Sequence, residues 1–456
     1  MLTERLAKLV AETRSDAFSD EMLERAAAAL VDTMGCAVAG AVGDVTETAL
    51  RYIRTLEAAP RATLWGRDER TSAQEAAFLN GISGHTLDFD DTLPSVRGHP
   101  SVPLFAAGLA LADTRTISGR QLLEAFVIGL EVFGKVGRAL SDGHYMRGWH
   151  MTATAGSFSS AAMVGRLIGL DEAQMRNAFG LVASDSGGLV RNFGTMAKAF
   201  HAGRSARAGF NAARLAAEGM TADPSILDGP GGTVAAYGED DASTDVPTPG
   251  APWEIIDPSI FVKRWPCCYA NHRALAGVFD LVKTHGIRPE AIQEIAVGFM
   301  PDADKALVHF TARTGLEGKF SIEYCAAAAV INGSITLASF TDEAVRRPAV
   351  QALMPKVRRF AMPGEGSFSG VKGMTDVVIT TDRGRFETRV EHTPGSPKAP
   401  MTTEDRRDKF FGCVVPVLGA EQADALFAAL SAIAGAPDVA EVMRLTVPRA
   451  RRTAAA

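Results

Sequence analysis

The chain is poor in the residues that would tie it to an oxidising or membrane setting. Of 456 residues five are cysteine, namely Cys36, Cys267, Cys268, Cys325 and Cys413. The odd count, with no Cys-x-x-Cys pair and no zinc-type spacing, argues against a disulfide framework and a structural metal site. A reducing cytoplasm is the compartment expected. Long apolar runs are also missing. The longest, Val102 to Ala112, falls well short of the ~20 residues that span a bilayer. The opening stretch from Met1 to Lys8 mixes both charge signs where a secretory signal would have an apolar core. Positive charge is scarce too: 47 Lys and Arg against 53 Asp and Glu give a net charge of −6. Nucleic acid is therefore not an expected partner, because the phosphate backbone calls for a basic face. The locally basic tail from Arg449 to Arg452 reads as a solvated end.

What remains is an ordinary globular composition, 46% hydrophobic and 22% charged. The length suggests about two or three domains. As far as residue 265 the pattern is helical. Met22, Leu23, Ala26, Ala27, Leu30, Val31 and Met34 recur at helical spacing behind Asp20, Glu21 and Glu24. Ser118 and Gln121 stand at capping-box spacing before a stripe of Leu122, Leu123, Phe126, Val127, Leu130 and Phe133. Arg204 to Glu218 is an Ala- and Gly-rich helix. Strand signals begin after Pro266, with Glu294 to Met300 and a hairpin from Asp376 to Val390 turning at Asp382. Helices are expected over Ile322 to Ile331, Asp342 to Leu353, Thr403 to Val415 and Glu421 to Ala434. The fold class is thus mainly α: a large all-helical domain, discontinuous over 1–265 and 400–456, with a smaller α+β domain inserted at 266–399.

Six of the nine histidines fall between residues 85 and 272, in short segments punctuated by Gly and Pro. Loops held by a rigid scaffold are where catalysis tends to sit. The first segment runs from His85 through Asp88, Asp90, Asp91, Thr92 and Arg97 to His99-Pro. Its acids could hold a hard cation, cap helices, pair with Arg97 or orient a histidine. No second acidic cluster completes a metal site, so no metal is assigned. The second segment places Tyr145, Arg147 and His150 within six residues. The third sets Lys198 three residues before His201, on one face of a helix. The fourth begins at Lys263-Arg264 and passes Cys267-Cys268 to His272, a possible local base for a thiol. Cations outnumber acids in these segments, which suits a small anionic substrate with several carboxylates.

The strings H-x-x-D-F-D-D-T…H-P from His85, G-W-H-x-T-x-T-x-G around His150, F-G-T-M-x-K-x-x-H-x-G around Lys198 and K-x-W-P-x-C-Y-A-N-H from Lys263 resemble, in order, the MmgE/PrpD family, which includes 2-methylcitrate dehydratase and cis-aconitate decarboxylase. Within that family the segments R-G-H-P from Arg97, H-Y-x-x-G-W-H from His144 and C-Y-A-N-H from Cys268 are most similar to iminodisuccinate epimerase. The resemblance implies a helical domain with an α+β lid, a cleft between them, a homodimer, and neither metal nor organic cofactor. It also implies active-site roles for Asp88, Thr92, His99, His150, Lys198 and Lys263. Decarboxylase-like members carry a histidine where this chain has Cys268, which disfavours decarboxylation and dehydration here.

The implied chemistry removes a proton α to a carboxylate on a small di- or tricarboxylate. Such a carbon acid is weak, so the developing enediolate needs cations as well as a base. Lys198, Lys263 and Arg147 suit the first task, and His150 and Tyr145 suit proton transfer on opposite faces. Asp88 and His99 complete the catalytic set, while Thr92, Arg97, His201, Cys268 and His272 join Arg147 as substrate-binding candidates. Epimerisation needs only two proton transfers. The alternatives are a dehydratase or decarboxylase, a non-catalytic carboxylate-binding protein, and a magnesium–diphosphate enzyme. Apolar surface for the dimer is expected from Val102 to Ala112 and Arg204 to Glu218.

Overall fold

A computed structural model describes residues 1–364 and 373–449. Arg451 and Arg452 of the basic tail lie outside the described residues. Arg449 sits 3.7 Å from Glu421.

Helices form where the local signals coincide. Ser19 Oγ accepts the Met22 N–H and opens the Asp20–Gly40 helix. Ser118 and Gln121 close a full capping box at the start of the Gly119–Met146 helix, which satisfies donors that would otherwise be orphaned at a helix N-terminus. Phe126 and Phe133 on its stripe are fully buried, each contributing about 1.5–3 kcal/mol relative to exposure. The helical part is not all-helical: β1 (Ala62–Thr63) and β2 (Arg70–Thr71) make a small antiparallel ribbon. Two residues a strand are too few for periodicity to register.

The Ser101–Ala112 helix is buried at every position. It packs among the Ala73–Thr86, Met151–Ile168 and Ala197–Ala217 helices. The expectation that Val102 to Ala112 offers apolar surface to a partner is therefore wrong, because neighbouring helices of the same chain already cover it. The Arg204 to Glu218 pattern belongs to the Ala197–Ala217 helix, which crosses the Ala73–Thr86 helix at glycines. A methyl group on Gly81 would sit 2.7 Å from the Cα of Gly203. This close crossing brings His85, one turn after Gly81, against Lys198, just over one turn before Gly203.

After residue 265 four strands form a mixed sheet in the order β4-β3-β5-β6. They are β3 (Ile292–Phe299), β4 (Val357–Ala361), β5 (Thr375–Thr381) and β6 (Gly384–Val390). The β5–β6 hairpin turns at Asp382 and Arg383, with Thr381 paired to Gly384. Strand β4 lies parallel to β3 at the sheet edge; the alternation in Val-Arg-Arg-Phe-Ala is too weak to announce it. The single helix expected over Asp342 to Leu353 is two, Asp342–Arg346 and Pro348–Leu353. Arg347 precedes a proline and takes extended geometry (ψ 129°).

Buried side chains form two clusters. One draws on residues 2–255 and 410–443. The other spans 265–379 and adds Tyr145 and Phe193 from the helical part. The Thr403–Leu418 helix returns to the first cluster, with Phe410 against Gly35 and Lys409 Nζ 2.7 Å from Asp32 Oδ1. Among the described residues no single helix is long and apolar enough to cross a membrane.

Candidate functional site

Where the two clusters meet lies a cavity of about 110 Å³. Its helical wall carries Asp88, Thr92, Arg97, His99, Tyr145, His150 and Lys198, and the other wall carries Lys263, Cys268, Tyr269, Arg273 and Phe320. At its centre Asp88 Oδ1 accepts from two ammoniums, Lys198 Nζ and Lys263 Nζ, each at 2.7 Å. Burial alone would raise the Asp88 carboxyl, but these two lysines, with His99 and His85, hold it well below the usual carboxylate range. Asp88 Oδ2 is buried with no hydrogen-bond partner among the described residues. Lys198 also lies over the rings of Phe193 and Phe320, 5.2 and 5.3 Å away.

Neighbours set the tautomers of His85 and His99. His85 Nδ1–H donates to Asp90 at 2.9 Å, so Nε2 accepts from Lys198 at 3.1 Å. His99 Nδ1–H donates to the Asp91 carbonyl at 2.8 Å, beside Asp90 Oδ2 at 3.2 Å. His99 Nε2 is left 3.8 Å from Asp88 Oδ1. His150 Nδ1 meets His201 Nδ1 at 3.0 Å, and the two rings share one proton there. Burial lowers all four imidazoles, His85 and His201 to about 4. They are neutral near pH 7. Burial also pushes the Tyr145 phenol up, leaving it a proton donor, and the Arg97 guanidinium lies 5.4 Å over its ring.

His85, Asp88, Asp90 and His99 present ligand atoms within 4.8 Å of one another. A divalent ion there would face the two ammoniums already on Asp88 and would have to displace the N–H donors from Asp90. Asp91 takes no part, since its Oδ2 accepts from Ser101 at 2.5 Å. Asp88 Oδ1 is already taken by two ammoniums and Asp90 by an imidazole N–H of the chain itself.

Three expected binding residues are not on the cavity wall. Arg147 lies just beyond the Gly119–Met146 helix and turns outward, with Nε 3.2 Å from Glu239 and Nη1 donating to the Gly238 carbonyl. Its assignment to the enediolate is withdrawn. His201 stands behind His150. His272 is fully buried, with Nε2 3.4 Å from the Cys267 carbonyl, and so faces the neighbour of Cys268. Cys268 itself is pushed up to about 12 by burial and by Asp88, which makes it a poor nucleophile. Thr92 Oγ1 donates to the Gly98 carbonyl at 3.0 Å, and the Thr92 N–H donates to Phe261 O. Arg273, Lys319 and Lys409 went unnoticed in the sequence. The sequence offered little signal for them: Lys409 closes the charged stretch Glu404 to Asp408, and Lys319 stands two residues after Glu317. A larger cavity, about 480 Å³, lies between the Asp20–Gly40 helix and the C-terminal helices. It is mostly apolar and lacks the histidines.

A mostly helical body and a small mixed sheet together line a buried cavity whose walls carry the cations Arg97, Lys198, Lys263 and Arg273. The MmgE/PrpD N-terminal domain matches residues 4–244 and the MmgE/PrpD C-terminal domain matches residues 265–432. The chain belongs to the MmgE/PrpD family. It is 28% identical to cis-aconitate decarboxylase of Mus musculus, over 97% of this chain and 93% of that one. It is 27% identical to cis-aconitate decarboxylase of Homo sapiens, over 90% and 87%. With the cis-aconitate decarboxylase-like protein of Aspergillus oryzae the identity is 24%, over 97% of each chain.

Proposed function

We propose that this protein is a cofactor-independent enzyme that removes a proton α to a carboxylate of a small polycarboxylate and returns one on the opposite face, as an epimerase of the iminodisuccinate type. The observation that carries the reading is Asp88 Oδ2. A buried acceptor without a donor costs free energy, and in this reading the substrate supplies the donor. Iminodisuccinate has an N–H between its two succinate halves, and citrate or 2-methylcitrate has a hydroxyl, whereas the cis-aconitate trianion has no donor. Asp88 Oδ2 thus speaks against cis-aconitate, and the choice of epimerisation over dehydration rests on Cys268. Lys198 and Lys263 neutralise the charge that grows on the substrate carboxylate. With Nδ1–H donated to His201, His150 keeps a lone pair on Nε2 and serves as base. The Tyr145 phenol delivers the proton. Arg97 binds and orients a substrate carboxylate, whereas Thr92 spends its donors on the Gly98 and Phe261 carbonyls and neutral His99 keeps Nε2 as an acceptor, so both shape the wall around it.

Cys268 supports epimerisation over a lyase, because a thiol held protonated adds no base where decarboxylase-like members have a histidine. The names of the relatives favour the second reading, a lyase acting on cis-aconitate, citrate or 2-methylcitrate. Proton NMR in D₂O separates the two. Exchange of the α-protons and inversion of iminodisuccinate are expected; an alkene product or loss of CO₂ from the tricarboxylates would replace the epimerase with the lyase. Activity is expected to survive exhaustive chelation. The same reading takes 1–265 with 400–456, and 266–399, as the two domains, and the working form as a homodimer. Light scattering that gives one 48.2 kDa chain at micromolar concentration would remove the dimer.

A further inference from the structure

Asp88 stands where a helix ends badly. The Ala73–Thr86 helix stops at Leu87, and Asp88 follows with φ +50°, the left-handed position that helix ends usually give to glycine or asparagine. The carbonyls just past such an end have no partner within the helix, and here they are buried away from water. Three lysines take them in sequence. Lys319 Nζ donates to the Leu87 carbonyl at 2.5 Å, Lys263 Nζ to the Asp88 carbonyl at 2.8 Å, and Lys409 Nζ to the Phe89 carbonyl at 2.7 Å. Each comes from a different part of the chain. Lys263 leads into the second cluster, Lys319 lies within it, and Lys409 sits on the returning Thr403–Leu418 helix.

Neither Lys319 nor Lys409 is on the cavity wall, and both are buried. Lys319 is further anchored on the Pro266 carbonyl at 2.9 Å and lies 4.6 Å over the Phe340 ring. Lys409 is anchored on Asp32 and lies 4.1 Å over the Phe89 ring. Burying an ammonium is costly unless its donors are used. Using them on three successive carbonyls fixes the peptide planes on either side of Asp88, and with them the direction of its carboxylate.

We propose that Lys319 and Lys409 are positioning residues that, with Lys263, clamp the 87–89 backbone and so aim Asp88 at the substrate; this rests on Asp88 belonging to the reacting site. Because Lys319 lies in the second cluster and Lys409 on the returning helix, the Asp88 geometry is set jointly by segments more than 200 residues away in sequence. The prediction concerns orientation, so it differs from loss of a charge or loss of the fold.

The test uses the full chain with Lys319→Met, and Lys409→Met made together with Asp32→Asn so that no buried carboxylate is stranded. Hydrogen exchange of the peptide covering residues 85–92 should speed up about tenfold or more in each variant while the rest of the chain keeps its protection. On whichever polycarboxylate the wild type turns over, kcat should fall about 10–100-fold with KM changed far less, the scale of a misplaced reacting group. Lys409→Arg, which keeps a charged donor, should recover most of the loss. Wild-type exchange at 85–92 would overturn the clamp, as would exchange rising across both clusters alike, since the lysines would then hold the fold and not the loop. If the wild type turns over no polycarboxylate, the functional reading fails, and the exchange measurement still decides the clamp.

Discussion

The two walls of the cavity are built on different terms. On and behind the helical wall, Asp88, Lys198, His85 and Asp90 are linked in that order by hydrogen bonds of 2.7–3.1 Å, with His99 Nδ1 3.2 Å from Asp90, while His150 pairs separately with His201 at 3.0 Å. The opposite wall offers one ammonium, Lys263, just ahead of the second cluster, and otherwise a protonated thiol, a phenol, a guanidinium and a phenyl ring. In the proposed reading the helical wall holds the proton-transferring groups in a set state, while the other wall excludes water and shapes the space. A dry cavity strengthens every charge interaction inside it. Each wall thus depends on the other.

The sharpest way to break this contrast is to strip a charge from the helical wall. Lys198→Ala should lower kcat on the order of 10²–10³-fold, as loss of a preorganised donor does; near wild-type kcat in a folded variant would remove the lysine from the mechanism. His150→Asn should cost about 10²-fold, and the double variant should lose far less than the product of the two, because residues acting as a unit are not additive. On the opposite wall, Cys268→Ser should change kcat by less than about tenfold. A loss equal to that of Lys198→Ala would show that chemistry sits on both walls. Outside both, Arg147→Ala should stay within about twofold, in line with exposed ion pairs contributing little.

Acidity sharpens the same contrast. His85 and His201 are lowered to about 4 in the folded chain, so kcat/KM should hold through pH 6.5 and fall only as pH approaches about 4. Stability should behave likewise. These histidines and His144, also lowered to about 4, take up protons near 6.5 once unfolded. Between those values the unfolded chain binds more protons, so stability is complete above about 6.5 and is lost as pH falls toward 4. Tm measured from pH 7.5 to 4 checks the sign. A flat Tm would mean that the helical wall is wetter than its geometry shows.

Much of this could be read in the sequence. Helical spacing from Met22, the Ser118–Gln121 capping box and the 376–390 hairpin are decided by residues a few positions apart, and each forms where its spacing says. The four polar segments likewise announced the groups that line the cavity. Tertiary structure alone decided which of those groups point inward. Arg147 turns to Glu239, 92 positions on, and His272 to the Cys267 carbonyl. Val102 to Ala112 reads as spare apolar surface until three helices of the same chain cover it. Lys319 and Lys409 carry no motif, because a lysine's purpose lies in its partner, here a carbonyl 232 or 320 residues away. Local periodicity is written in the neighbours along the chain, whereas the partner of a buried charge is set only when distant segments exclude water around it.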